Sequence, residues 1–469
     1  MFRLAFAVAT SVSVLAACTT IGPNYRAPQP GVDATLVNTA LPGFDNADPI
    51  AVFWKGFNDP RLDRLIDQAL TANQDIRIAD ARLQEARGVR RDAEGERFPT
   101  LIANGGYNFQ QFSTAEFPGT RDARNRDAFF SRLEPSWEID FFGRVRRSIE
   151  ARVAELGAAE AGVYAAQIAV ISELARSYFE LRGWQRQLAV ARAAAANQER
   201  TLKLTTAREQ AGRGTELDIA RARNLLETTL AAGPQIDLGL QRARYRIAVL
   251  IGRQPNALAS ELADAIAAAP LPELVSVGTP EQLLRRRPDI LIAERQLAAA
   301  TARIGVATGD LYPRVTIAGR FGLQARSLSN LVDTDSITYA LGPSIQWAAF
   351  DLSRVRARIA SSESRAEAAL ANFEQTVNRA LEETEGAVLA YARTRERQAS
   401  LARALSASER AAELARLRFE NGVSDLLTVL DAERQRLAAQ NEVVAGETAT
   451  ATTLVALYRA LGGGWRPIE

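Results

Sequence analysis

The residue types that carry most protein chemistry are nearly absent from this chain. Its 469 residues contain no histidine, a single methionine and a single cysteine, Cys18. These absences exclude Cys/His metal centres, histidine-based acid–base catalysis and an internal disulfide. A site built only of carboxylates or a Ser–Lys nucleophile remains conceivable, but no clustered motif supports either. We therefore predict no enzyme and no cofactor, and the net charge of +2, spread along the chain, predicts no nucleic-acid partner.

Two carboxylates follow a break in a long helical pattern. The stretch ENGVSDLLTVLDAER runs from Glu420 to Arg434, and an Asn-Gly pair interrupts it. Asp425 lies just past the break and suits the start of the next helix. If several chains surrounded one pore, the Asp431 carboxylates would form a ring that attracts cations and slows anions, and mutual repulsion would raise some of their pKa values. The alternative is that Asp431 and Glu433 are solvated charges of a helix face.

The N-terminus has the pattern of a targeting segment. Arg3 precedes an apolar run from Leu4 to Ala17, which ends in LAAC. This ending resembles a bacterial lipobox, in which Cys18 becomes the lipid-bearing first residue after removal of signal peptide 1–17. Thr19, rather than aspartate, then favours the outer membrane. The alternative is ordinary secretion with an incidental cysteine.

The chain contains two copies of one unit, at about 59–252 and 279–462. A shift of 210 residues places Trp137 on Trp347 and Gly212 on Gly422, and a shift of 214 places Pro99 on Pro313. The sequence pattern of each copy predicts a helix, two strands and a helical hairpin. The predicted strands cover about 99–112, 127–141, 313–325 and 336–348, and the hairpins cover 142–252 and 352–462. Segments 18–58 and 253–278 and tail 463–469 are predicted to form a belt around the hairpins.

Apolar and polar residues alternate along all four strands, so each strand has one apolar and one polar side. A soluble sheet would show the same alternation, but the strand lengths and the aromatic residues near strand ends favour a membrane barrel. Four strands cannot close a barrel, and open edges are not tolerated in lipid. Several chains must share one barrel, and a conducting pore favours three or more. The predicted fold class is mainly α with a membrane β-barrel.

Six motifs carry a resemblance to a known family. They are LAAC, GPNY at 22–25, FWKGFNDPRLDRLI at 53–66, SWEIDFFGRVR at 136–146, RRPDI at 286–290 and FENGVSDLLTVLDAER at 419–434. As an ordered set they resemble the TolC-like outer-membrane efflux proteins, in the lipoprotein branch that serves resistance-nodulation-division (RND) pumps. The resemblance implies a homotrimer with a twelve-stranded barrel and a long periplasmic coiled-coil barrel. It also implies two partners, a periplasmic adaptor protein and an inner-membrane RND-type transporter.

The resemblance also implies roles for residues at the hairpin ends. The adaptor-contacting tips correspond to Gly212, Gly214, Asn421, Gly422 and Val423. Asp431 matches an acidic ring inside the entrance, and Thr428 stands at a position that is acidic in some members. Asp218 and Phe419 match positions of a latch that holds the entrance shut. Ser424 stands where some members have the latch arginine, which makes Arg213 a candidate substitute.

The function implied is a passive exit duct for drugs or other toxic solutes. Export of metal ions or of secreted proteins is the rival within the same class. The lack of methionine and histidine beyond Met1 argues weakly against metal export. The alternative from a different class of function is a lipid-anchored periplasmic scaffold without a pore.

Overall fold

The computed structural model describes residues 20–29, 31, 35–47, 52–117, 120, 124–264 and 271–463. Cys18 and the predicted signal peptide lie outside the described residues. The chain divides into two compact units. The first comprises the described parts of Met1–Gln29, Arg82–Ala159 and Ile292–Glu374, and the second those of Pro30–Ala81, Glu160–Leu291 and Gln375–Glu469.

A four-stranded antiparallel sheet dominates the first unit. Its strands are β1 (Thr100–Gln111), β2 (Asn125–Ile139), β3 (Arg314–Ala325) and β4 (Ile337–Gln346), paired in that order. Odd-numbered residues pair with odd-numbered residues throughout, as in Tyr107 with Phe129 and Phe321 with Tyr339. One face of the sheet therefore carries the apolar residues that the alternation predicts. Within the chain this face is uncovered, since Tyr339 and Leu341 are 78% and 76% exposed.

Long helices make up most of the remaining structure. In chain order the helices are α1 (Pro60–Ala72), α2 (Gln74–Gly95), α3 (Arg144–Gln210), α4 (Glu216–Leu250), α5 (Pro280–Arg286), α6 (Pro288–Gly309), α7 (Leu352–Glu420) and α8 (Leu426–Ala460). The two longest, α3 and α7, have 67 and 69 residues, and each is followed by a return helix of 35 residues. Of the helices in the described part of the chain, none combines the length and apolarity that a membrane crossing requires.

The opening helix of each copy differs from the sequence expectation, because both are divided. Asn73 separates α1 from α2, and Arg287 separates α5 from α6. Arg287 is extended because it precedes Pro288, whose ring disfavours the helical conformation of the residue before it. Asn73 ends α1 through its own N–H to the Ala69 carbonyl and caps α2 through Oδ1, which accepts from the N–H groups of Asp75 and Ile76.

Both break residues also hold the end of a return helix. Asn73 Nδ2 donates to the Leu250 carbonyl at 2.8 Å, and Arg287 Nη1 donates to the Ala460 carbonyl at 2.8 Å. The last carbonyls of a helix have no partner within the helix, and a buried one must find a donor elsewhere. Asn73 and Arg287 are 3% and 8% exposed, so both contacts are shielded from water.

The main apolar core of the second unit surrounds these contacts. Its largest fully buried side chains include Phe53, Trp54 and Phe57 from the segment before α1. Phe53 stacks on Tyr458 of α8 with ring centroids 4.8 Å apart. Asp59 caps α1 by accepting from the N–H groups of Arg61 and Leu62, and its second oxygen accepts from the Tyr178 hydroxyl. Burial and this contact with Asp59 raise the pKa of Tyr178 to about 12.

Replacing Asn73 tests how much the buried contact contributes to stability. We expect Asn73→Ala to lower the free energy of unfolding by about 2 kcal/mol, because a helix cap and a buried hydrogen bond are both lost. Asn73→Asp keeps the cap but sets a carboxylate against the Leu250 carbonyl, so we expect a loss at least as large. Thermal or denaturant unfolding of the purified protein measures both. The neighbouring exposed Gln74→Ala is the control, and an equal response of Gln74→Ala and Asn73→Ala would contradict the role of Asn73.

Candidate gate at the hairpin tips

Each long helix ends in the same type of reversal. After α3, the N–H of Gly212 donates to the Glu209 carbonyl and the N–H of Arg213 donates to the Arg208 carbonyl, both at 2.8 Å. After α7, Gly422 donates to Phe419 at 3.0 Å and Val423 to Arg418 at 2.8 Å. This pattern is a Schellman motif, which requires a left-handed residue after the helix. The φ angles of +71° at Gly212 and +75° at Gly422 meet that requirement.

Two of the acids named from the sequence serve as helix caps. Thr215 and Asp218 form a capping box at the start of α4, in which each side chain accepts from the other residue's N–H. Asp425 begins α8 by accepting from the Thr428 N–H at 3.0 Å and from the Thr428 hydroxyl at 2.6 Å. The hydrogen bonds from Thr428 lower the pKa of Asp425 below its ordinary value.

The capping box was missed by the sequence interpretation. Its signal, a threonine followed three residues later by an acid, is readable in TELD at 215–218. Within the chain, Asp218 is engaged by this local bond rather than by the other hairpin. Its predicted latch role stays a prediction.

The two tips of one chain lie side by side. The Arg208 guanidinium of α3 sits 4.4 Å from the centroid of the Phe419 ring of α7. A small apolar cluster lies beneath this pair. It consists of Ala415, Leu426, Val429 and Leu430, with Leu225 and Phe419 packed against it. The cation–π contact and the cluster connect the first hairpin to the second at their ends.

Asp431 lies on α8 beside a groove of about 510 Å³ between α4 and α8. Its Oδ1 accepts from Arg434 Nη2 at 2.6 Å, and its Oδ2 accepts from Gln435 Nε2 at 2.7 Å. Both members of the ion pair are exposed, with 43% and 71% of the Asp431 and Arg434 side chains accessible. The carboxylate is thus solvated, and an adjacent cation partly compensates its charge. Sequence reasoning did not include Arg434 in the site.

Within one chain, Arg213 does not form the ion pair expected of a substitute for the latch arginine that is absent at Ser424. Arg213 is exposed, and its side chain forms no ion pair with the described residues. Ser424 Oγ is buried and has no hydrogen-bond partner among the described residues. No group of three or more carboxylates in the described part of the chain has the arrangement of a metal site.

Comparisons with known proteins agree on one family. The family model described as "Outer membrane efflux protein" matches residues 65–253 and again 279–463. Outer membrane protein OprJ of Pseudomonas aeruginosa is 33% identical over 423 residues, which is 88% of this chain and 86% of the relative. The probable outer membrane lipoprotein SilC of Salmonella typhimurium is 28% identical over 472 residues, which is 99% and 100% of the two chains. The solved outer-membrane channel OprN superposes with a TM-score of 0.89 at 40% identity, and the match covers 95% of this chain and all of that one.

Substitutions of glycine separate the turn requirement from packing. A Cβ added at Gly422 or at Gly386 in the middle of α7 meets nothing within 4 Å, but only Gly422 has positive φ. We expect Gly422→Ala to cost about 1–2 kcal/mol of local stability, because a side chain disfavours the left-handed conformation. Gly386→Ala should instead add about 0.5–1 kcal/mol as a better helix former. Hydrogen exchange of amides 417–430 measures the first and thermal unfolding the second, and unchanged exchange in Gly422→Ala would contradict the turn's requirement.

Proposed function

This chain belongs to the outer membrane efflux protein family, and from that premise we propose how its parts work as the exit duct of a tripartite pump. It is an efflux channel of the outer membrane. Membership of this family makes it a channel rather than an enzyme. In the proposed pump, the chain conducts solutes passively, while an inner-membrane RND-type transporter and a periplasmic adaptor supply energy and cargo.

The channel is formed by a homotrimer. The observation that carries this proposal is the sheet itself, whose apolar face is uncovered and whose end strands β1 and β4 each have a single neighbour in the sheet. Lipid can cover the face, but it cannot satisfy the unpaired N–H and C=O groups of an edge strand. Three chains would join edge to edge into twelve strands, whereas two would give eight strands with an interior filled by side chains.

The hairpin tips are the periplasmic entrance of this channel. Gly212, Gly214, Asn421, Gly422 and Val423 form its adaptor-contacting surface, and three chains supply six tips around one opening. The exposure of the tip residues, with Val423 64% accessible, supports a surface that a partner can cover. Phe419, beneath Arg208, helps to hold the two tips of a chain together.

Asp431 forms the charged ring just inside this entrance, and Arg434 determines how much of the ring's negative charge is compensated. Thr428 completes the Asp425 cap instead of adding a charge, so the ring has one carboxylate per chain. Each carboxylate has a guanidinium within hydrogen-bonding distance. The net field of the ring therefore depends on both residues, and cations are favoured only to the extent that Arg434 leaves Asp431 uncompensated.

The cargo class is drug-like or otherwise toxic solutes, and this proposal rests on the resemblance to channels that serve RND pumps. Covalent lipid on Cys18 anchors the N-terminus in the outer membrane. The name of the relative SilC, a probable outer membrane lipoprotein, supports the anchor. A single lipidated end would tether the chain only weakly, but here the barrel would provide the main attachment to the membrane.

Ion selectivity tests the channel and its ring together. We expect trimers in a planar bilayer to conduct, Asp431→Ala to weaken cation preference, and Arg434→Gln to strengthen it, because the first removes the carboxylate and the second its counter-charge. Reversal potentials in a salt gradient measure each change. Asp425→Ala, which removes a cap carboxylate, is the matched control. A monomeric mass in detergent with no conductance would overturn the channel proposal, whereas identical selectivity in all variants would overturn only the ring.

Lipid attachment is tested by metabolic labelling. We expect the intact protein to incorporate labelled palmitate and Cys18→Ser to incorporate none, since the chain has no other cysteine. Fractionation of the Cys18→Ser variant shows whether the barrel suffices for membrane residence. Equal labelling of both forms would exclude Cys18 as the attachment site.

A further inference from the structure

The polar face of the sheet has a charge distribution that the proposed duct does not explain. This face carries the even-numbered residues, so if the apolar face meets lipid, the polar face lines the pore. Its ionisable residues on the four strands are Arg126, Arg132, Glu134, Glu138, Arg314 and Arg320. They divide into a group near the β1–β2 and β3–β4 loops and a group near the helices.

Charges at the helix end of the polar face are compensated by neighbours. Glu138 accepts two hydrogen bonds from Arg144, at 2.9 and 2.8 Å. Arg314 forms an ion pair with Asp310. Beyond the end of β2, Asp140 pairs with Arg146 at 3.2 Å. This end of the face therefore has little net charge.

The loop end of the polar face carries an excess of positive charge. Arg126, Arg132 and Arg320 stand against a single acid, Glu134. Glu134 is already engaged, because it pairs with Arg132 at 2.8 Å and accepts from Asn104 Nδ2 at 2.6 Å. Arg320 is exposed and forms no ion pair with the described residues. The excess is two positive charges per chain, and a trimer would multiply it by three around one axis.

Arg126 is held in place by aromatic rings rather than by acids. Its guanidinium carbon lies 4.3 Å from the centroid of the Phe117 ring and 5.8 Å from that of Phe112. No carboxylate of the described residues pairs with it, and its Nε is buried without a hydrogen-bond partner. Phe117 itself is positioned by its N–H, which donates to the Ser113 carbonyl. The guanidinium is thus fixed on a ring face while its charge remains unneutralised.

A second arginine–aromatic pair lies further along the same face. The Arg132 guanidinium sits 4.6 Å from the centroid of the Phe130 ring. The Phe130 ring in turn covers Gly106 of β1, where a Cβ would come within 2.9 Å of the ring. Gly106 therefore allows the ring to lie flat against the sheet, where it supports Arg132.

We propose that the loop-proximal half of the polar face, defined by Phe112, Phe117, Arg126, Phe130, Arg132 and Arg320, is a binding segment for planar aromatic anions. A planar guanidinium offers paired N–H donors to a carboxylate or sulfonate, and the phenyl rings offer surfaces on which an aromatic body stacks. This inference rests on the proposed trimeric pore. The segment would add a net positive charge to the pore wall near the strand loops.

Block by a planar polyanion tests the segment. Trimers are added to one chamber of a planar bilayer, so that their long helices remain there and the strand loops face the other chamber. Pyrene tetrasulfonate added to the loop side should reduce the current at lower concentration than when added to the helix side. In Arg126→Gln and Arg320→Gln the half-blocking concentration should rise roughly tenfold, which corresponds to about 1.4 kcal/mol.

Charge-preserving variants separate charge from geometry. Arg126→Lys keeps the charge but loses the planar group, so we expect an intermediate half-blocking concentration. Equal block from both sides, or wild-type block in both glutamine variants, would overturn the anion segment while the channel stands. Absence of any conductance would overturn the pore and the segment together.

Discussion

The architecture depends on the side chains that donate hydrogen bonds to the last carbonyls of the two return helices. A helix of 35 residues that stops in an apolar core leaves carbonyl groups which must be paired. In both copies, the residue that breaks the opening helix supplies the donor, Asn73 for Leu250 and Arg287 for Ala460. Asn73 and Arg287 therefore each end one helix and hold the end of another. The aromatic cluster before α1 and the cap that Asp59 provides for α1 are arranged around these two contacts.

Much of the architecture could be predicted from periodicity, because strands and hairpins are local patterns. Alternation located the four strands, and the glycines of the two reversals located the tips. The division at Arg287 had a readable signal in Pro288, whereas Asn73 lies between two stretches that both have helical pattern. Contacts such as Arg287 with Ala460 join residues far apart in the chain, and no local pattern specifies them. The pairing of Asp431 with Arg434 is different, because it is an i,i+3 contact on one helix that the sequence could have indicated but the interpretation did not include.

The tips and the sheet use charge in different ways. At the tips, carboxylates are mostly occupied by local bonds, with Asp218 and Asp425 serving as caps and Asp431 beside a guanidinium. On the polar face of the sheet, arginines near the loops outnumber acids, and Arg126 is held by phenyl rings. Local hydrogen bonding fixes the backbone at the tips, while the loop end of the polar face has an excess of two positive charges per chain. The two regions are therefore suited to different tasks, one to holding a shape and the other to contacting a charged solute.

The uncovered apolar face and the two open edges of the sheet have a consequence for biogenesis. A lone chain with these strands already paired would expose to water a surface prone to aggregation. Several helical side chains, among them Leu204 and Leu217, are also more than half exposed within the chain. In the proposed trimer, strand pairing would be favoured only where lipid and sister chains are both present, which would couple the last stage of folding to the assembly of three subunits at the membrane. A newly exported chain would then have to travel with its strands unpaired or shielded by another protein.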